Sequence, residues 1–151
     1  MFEKLAHHST EGPGFVLFLP SGAGYGGFLL WNHDGNQGPE GTLSIEISAA
    51  HARLIRVMAM EMEADSHLVE SVRGWRSHQR LGELIGAETD WPPEVPTVRS
   101  YMTRIQKRIN NKVREVDPRR TIPKLFEGRR KVGSRLRVPV QIMDGTLQER
   151  A

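Results

Sequence analysis

Apolar and polar positions along the chain recur with two different periods. Phe15–Leu19 (FVLFL), Phe28–Trp31 (FLLW) and Thr42–Ile47 (TLSIEI) are short aromatic and aliphatic runs bounded by Gly, Pro, Asn and Asp, as strands joined by turns are. In the third run Leu43, Ile45 and Ile47 alternate with Thr42, Ser44 and Glu46, which predicts one buried and one wetted face. Together they predict an N-terminal antiparallel sheet, preceded by a loose arm over residues 1–14.

The period then changes to that of a helix. Ser48 stands at an N-cap position ahead of Ala49–Met62, where Ile55, Met58, Ala59 and Met62 recur at three- and four-residue spacing. A short helix is expected over His78–Ile85, with Leu81, Leu84 and Ile85 on one face and Gly86 as its C-terminal cap. Ala87–Pro96 holds three prolines and reads as a loop. From Thr97, taken as N-cap, a long helix runs to Asp117-Pro118. Its core stripe is Val98, Tyr101, Met102, Ile105, Ile109, Val113 and Val116. Leu125–Gly128 and Arg135–Ile142 read as two strands of a hairpin around a basic turn, and residues 143–151 as a frayed tail.

Composition bounds the class. The chain has 151 residues, 38% of them hydrophobic, and no cysteine, which suits one globular domain and excludes disulfides, thiol catalysis and thiolate zinc sites. No apolar run is long enough for a membrane span and the first residues do not read as a signal peptide, so a cytoplasmic protein with no membrane partner is expected.

The formal net charge is only +3. Its distribution is more informative. Between Thr97 and Arg137 fourteen basic residues face three acidic ones, giving +11; the remaining seven basic and fifteen acidic residues give −8. A concentrated basic segment is the footprint of a polyanion-binding surface, because Lys and Arg that neutralise phosphates release condensed counterions. The outer face of the long helix carries Arg99, Thr103, Arg104, Lys107, Asn110, Asn111 and Arg114, in which cations are interleaved with amide and hydroxyl groups.

The order sheet, helix, short helix, loop, basic helix, basic hairpin resembles the winged helix-turn-helix effector domain of OmpR/PhoB-type response regulators. LSIEISAAHARLIRVM, LGELIG, TVRSYMTRIQKRI and GSRL carry the likeness, over about two thirds of the chain. Ser134 stands where the family's Gly-Tyr-Arg-Leu has tyrosine, and no phosphoacceptor receiver domain is expected within residues 1–42.

The resemblance implies an α+β winged helix with three helices and a C-terminal β-hairpin wing. It also implies sequence-specific binding of double-stranded DNA in transcriptional regulation. Thr103, Lys107, Asn110, Asn111 and Arg114 would lie in the major groove, where Asn can pair bidentately with adenine and Arg or Lys with guanine. Arg99, Arg104, Arg119, Arg120 and the wing's Arg129, Arg130 and Lys131 would hold phosphates or the minor groove. The loop with Glu88, Asp90, Trp91 and Glu94 matches the family's contact with RNA polymerase, and a homodimer on DNA is a further implied partner. A fold-back of Trp91 onto its own core is the alternative at that residue.

Other motifs lack their contexts. Gly22-Ala23-Gly24-Tyr25-Gly26-Gly27 has the spacing of a dinucleotide fingerprint but leads into another strand, not a helix. The six histidines show no metal-ligand spacing, no nucleophile and base are assembled, and no cofactor or enzymatic activity is expected. The competing class is a protein-interaction module, which basic residues buried or paired with the acidic half would favour.

Overall fold

A computed structural model describes residues 14–32 and 41–145. The arm at 1–13 and the tail at 146–151 lie outside the described residues. Three strands, β1 (Phe15–Leu19), β2 (Gly27–Asn32) and β3 (Thr42–Ile47), form an antiparallel meander. Alternation decides which side is dry: Phe15, Leu17, Leu19, Leu29, Trp31, Leu43, Ile45 and Ile47 all point inward and are buried. Phe15 and Trp31, paired across the ladder, stack with ring centroids 6.1 Å apart.

The expected antiparallel sheet is in fact mixed. A last strand, β6 (Val140–Asp144), returns to pair in parallel with β1, giving the order β3-β2-β1-β6. The run Arg135–Ile142, expected as one wing strand, therefore divides. Pro139 lacks the N–H that would continue the ladder, and its carbonyl accepts from the Phe15 N–H at 3.0 Å as the chain crosses to the large sheet. The wing proper is β4 (Phe126–Arg129) with β5 (Gly133–Leu136). Met143 and Asp144 belong to β6, not to a tail.

Three helices lie on the inner side, the first and last against strands of the large sheet and the middle one against those two helices. The first, α1 (Ala49–Ala64), starts where expected, with Ser48 Oγ accepting from the His51 N–H at 3.3 Å. It buries Ala52, Leu54, Ile55, Val57 and Met58, a wider stripe than the spacing predicted, because it packs between the sheet and both other helices. After a 3₁₀ turn at Glu70–Val72, α2 spans His78–Thr89.

Gly86 does not cap α2. It lies inside the helix, where a Cβ would come within 2.7 Å of the Pro92 ring, and Asp90 ends the helix in the left-handed region at φ 66°. The last helix, α3 (Val95–Val116), begins earlier than expected, with Glu94 and not Thr97 at the N-cap position. Pro96 falls in its first turn, where a missing N–H leaves no bond unmade. The predicted ten-residue loop shrinks accordingly to Asp90–Glu94.

The α3 core stripe is Val98, Met102, Ile105, Ile109 and Val113, while Tyr101 is half-buried and Val116 exposed. Among the described residues no helix is long and apolar enough to cross a membrane.

Candidate nucleic-acid interface

With that stripe turned inward, Arg99, Thr103, Arg104, Lys107, Asn111 and Arg114 are exposed on the far side of α3, and Asn110 is half-buried beside them. Among the described residues none of Arg104, Lys107, Arg114, Arg129, Arg130 and Lys131 forms an ion pair. Several acidic groups are engaged elsewhere. Glu88 pairs with Arg56 at 2.6 Å and Arg53 at 4.0 Å, Arg76 with Glu61 at 2.8 Å and Asp65 at 2.9 Å, and Arg135 with Glu127 at 3.0 Å. The basic excess read from the sequence is therefore solvent-facing charge.

The hairpin is fixed to the helical body by residues whose role had no sequence signal. Arg76 bridges its backbone antiparallel to Ser134, with N–H to carbonyl distances of 3.1 and 2.9 Å, so the connection before α2 extends the wing sheet. Gly133 faces this bridge at φ 136°, and a Cβ there would collide with the Arg76 carbonyl. Trp75 is half-buried, with the Arg135 guanidinium 4.6 Å and the Arg129 guanidinium 5.4 Å from its ring centroid. Arg135 also donates to the carbonyls of Glu70 and Arg73. Hydrogen bonding by Arg76, then by the Gly74 N–H, holds the Asp65 carboxyl below its ordinary pKa.

Two grooves flank α3. One, of about 520 Å³, lies between the start of α2, the start of α3 and the wing, and is bordered by His78, Gln79, Arg99, Arg129, Arg130 and Lys131. The other, of about 500 Å³, is bordered by Met102, Thr103, Gln106, Lys107, Asn110, Lys124 and Phe126. The expected site residues are thus divided: Arg99 and the wing cations at the first groove, Thr103, Lys107 and Asn110 at the second. Arg104, Asn111 and Arg114 border neither.

Within the site, Thr103 Oγ1 donates to the Arg99 carbonyl at 3.1 Å, and Asn110 Oδ1 accepts from Gln106 Nε2 at 2.9 Å. Arg99 Nε donates to His78 Nδ1 at 3.2 Å. Burial, and after it the charge of Arg99, pushes the His78 pKa down. His51, packed edge-on against Tyr101 at 5.3 Å, is lowered by burial and then by Arg104 and Arg108.

The four residues of the expected partner loop do not all lie on one loop. Glu88 is still on α2 and tied to Arg56, Asp90 terminates α2, and Glu94 precedes α3. Trp91 is 82% exposed, not folded back. Of the glycine-rich segment, Gly22–Gly26 lies in the turn between β1 and β2 and Gly27 opens β2, with Gly22 and Gly24 at positive φ and no helix after it. Among the described residues no cluster of three or more His, Cys, Asp or Glu side chains is arranged to hold a metal.

Comparison with known proteins returned no match: no family model, no curated protein and no solved structure aligns with this chain.

Proposed function

We propose that this protein binds double-stranded DNA in a sequence-specific way through α3 and the β4–β5 hairpin, as a winged helix-turn-helix regulator of transcription. The observation that carries this reading is the outer face of α3. Its cations have no carboxylate partners among the described residues, amide and hydroxyl groups stand between them, and a basic hairpin is braced beside its start. Phosphates neutralise such cations with release of counterions, and the interleaved polar groups have the reach and chemistry for base edges.

The helix pair α2 and α3, joined by the short Asp90–Glu94 connection, supports the helix-turn-helix part of the reading, with α3 as recognition helix and the hairpin as wing. The exposed Trp91 on that connection is left for a protein partner, RNA polymerase in the resemblance drawn from the sequence. A protein-interaction module would be favoured by basic residues neutralised by the acidic half. Carboxylates of that half pair with its own Arg53, Arg56 and Arg76, and Arg135 pairs with Glu127 inside the basic segment, but the α3 set has no such partner among the described residues.

Selection of bound duplexes from a random pool tests the reading: enrichment of a defined motif is expected. A pool that stays random while an acidic protein is captured would replace it with the interaction module.

A further inference from the structure

Gln106 reaches from α3 to the chain entering the hairpin, and main chain holds both ends of its carboxamide. Oε1 accepts from the Leu125 N–H at 3.0 Å, and Nε2 donates to the Pro123 carbonyl at 2.9 Å. Turning this amide over would set N–H against N–H and oxygen against oxygen, so its orientation is fixed by backbone groups that cannot exchange roles. The other Nε2 hydrogen goes to Asn110 Oδ1, 2.9 Å away and one helical turn on. Asn110 is fixed in its turn. Its oxygen faces Gln106, and its Nδ2, with two hydrogens, is left for the groove shared with Lys107 and Lys124, whose ammonium groups are also donors only.

A free asparagine on a recognition helix offers oxygen and N–H together, the pair that matches adenine N6 and N7. Here the oxygen is turned away. Resting on the DNA-binding reading above, we propose that Gln106 is a positioning residue that presents Asn110 to DNA as a donor. This point of α3 then selects an acceptor edge, guanine O6 and N7, and discriminates against adenine, whose N6 hydrogens would meet the Asn110 donors.

The test repeats the duplex selection with wild type, Asn110→Ala, Asn110→Asp and Gln106→Glu, each checked for cooperative unfolding. The wild-type motif is expected to hold a guanine that Asn110→Ala flattens by about tenfold in preference, the other positions remaining as they are. Asn110→Asp replaces the donor by an oxygen and is expected to move that position toward cytosine, whose N4 hydrogens need an acceptor. In Gln106→Glu one carboxylate oxygen accepts from Leu125 and the other, set against the Pro123 carbonyl at a cost in stability, turns the Asn110 amide over, moving the same position toward adenine. If Gln106→Glu does not fold, the two Asn110 variants decide.

An equal loss on all sequences with Asn110→Ala would make the acceptor a phosphate and overturn the inference while leaving DNA binding intact. A motif unchanged by every variant would also overturn it. No motif from the wild type would remove the DNA reading itself.

Discussion

His78 Nε2 lies 2.9 Å from Ser134 Oγ, joining the first residue of α2 to the second strand of the wing. Nδ1 of the same ring accepts from Arg99 on α3, so the proton of the neutral imidazole sits on Nε2 and is donated to the serine. One side chain thus links both helices of the pair to the hairpin. The link uses Ser134, where the winged-helix pattern proposed for this chain has the tyrosine of Gly-Tyr-Arg-Leu.

Protonation would put a hydrogen on Nδ1 and break the bond from Arg99. Because the folded state holds His78 below the ordinary imidazole pKa of 6.5, it binds this proton less readily than the unfolded chain. The associated stability is complete above 6.5 and is lost as pH falls through the lowered folded value. His51 acts in the same direction and the same window, and Asp65 repeats the pattern only below 3.8. Urea midpoints are expected to be lower at about pH 5.5 than at about pH 7.5, with His78→Gln narrowing the gap. Equal wild-type midpoints at the two pH values would contradict this.

Ser134 is 6% exposed, and Ser134→Ala removes the acceptor of the half-buried His78 N–H. A loss of about 1–3 kcal/mol is expected, the desolvation cost of an unmade bond. Equilibrium unfolding in urea measures it, and a change within the error of the wild type would mean that the bond contributes nothing.

At Gly133 the backbone takes φ 136°, and the Arg76 carbonyl occupies the space a side chain would need. Gly133→Ala is expected to destabilise by roughly 2 kcal/mol or more, from strain added to the broken Arg76–Ser134 bridge. Hydrogen exchange at the Ser134 amide should rise with it; protection equal to the wild type would show the bridge intact.

For the DNA reading, affinity should fall with salt at a log–log slope of about −5 if six or so phosphates are neutralised. Arg130→Ala should weaken every sequence alike, whereas Lys107→Ala and Arg114→Ala should relax preference at single base pairs by about 1–3 kcal/mol. Titrations of matched and mismatched duplexes separate the two patterns, and identical losses on all duplexes for the three variants would contradict the roles assigned.

Trp91→Ala should leave stability within about 0.5 kcal/mol of the wild type, since the ring is 82% exposed. Thermal or urea unfolding checks this. A large loss would return Trp91 to the core.

Local pattern made much of this fold legible. Alternation at Leu43, Ile45 and Ile47 found the buried face of β3, and the spacing of Val98, Met102, Ile105, Ile109 and Val113 found the inner face of α3. Prolines and glycines were harder to read, because Pro96 can open a helix as well as break one, and Gly86 is required by the approach of Pro92 instead of by a turn. The candidate site was legible where it depends on charge: the cations of Arg104, Lys107 and Arg114 follow from composition and from the stripe opposite them. Trp75, Arg76, His78 and Ser134 were not, since each acts through a partner distant in sequence, 56 residues away for the His78–Ser134 bond.

The sequence by itself determined the three-strand meander, the cap at Ser48, the core face of α3 and the separation of charge, all properties of neighbouring residues within one element. Only the tertiary structure decided that β6 crosses back to lie parallel to β1. It alone revealed that the wing is bonded to the segment before α2, and that Gln106 turns the Asn110 amide. Those outcomes depend on which groups long stretches of chain bring within about 3 Å of one another, and hydrogen bonds at that range leave no period in the sequence.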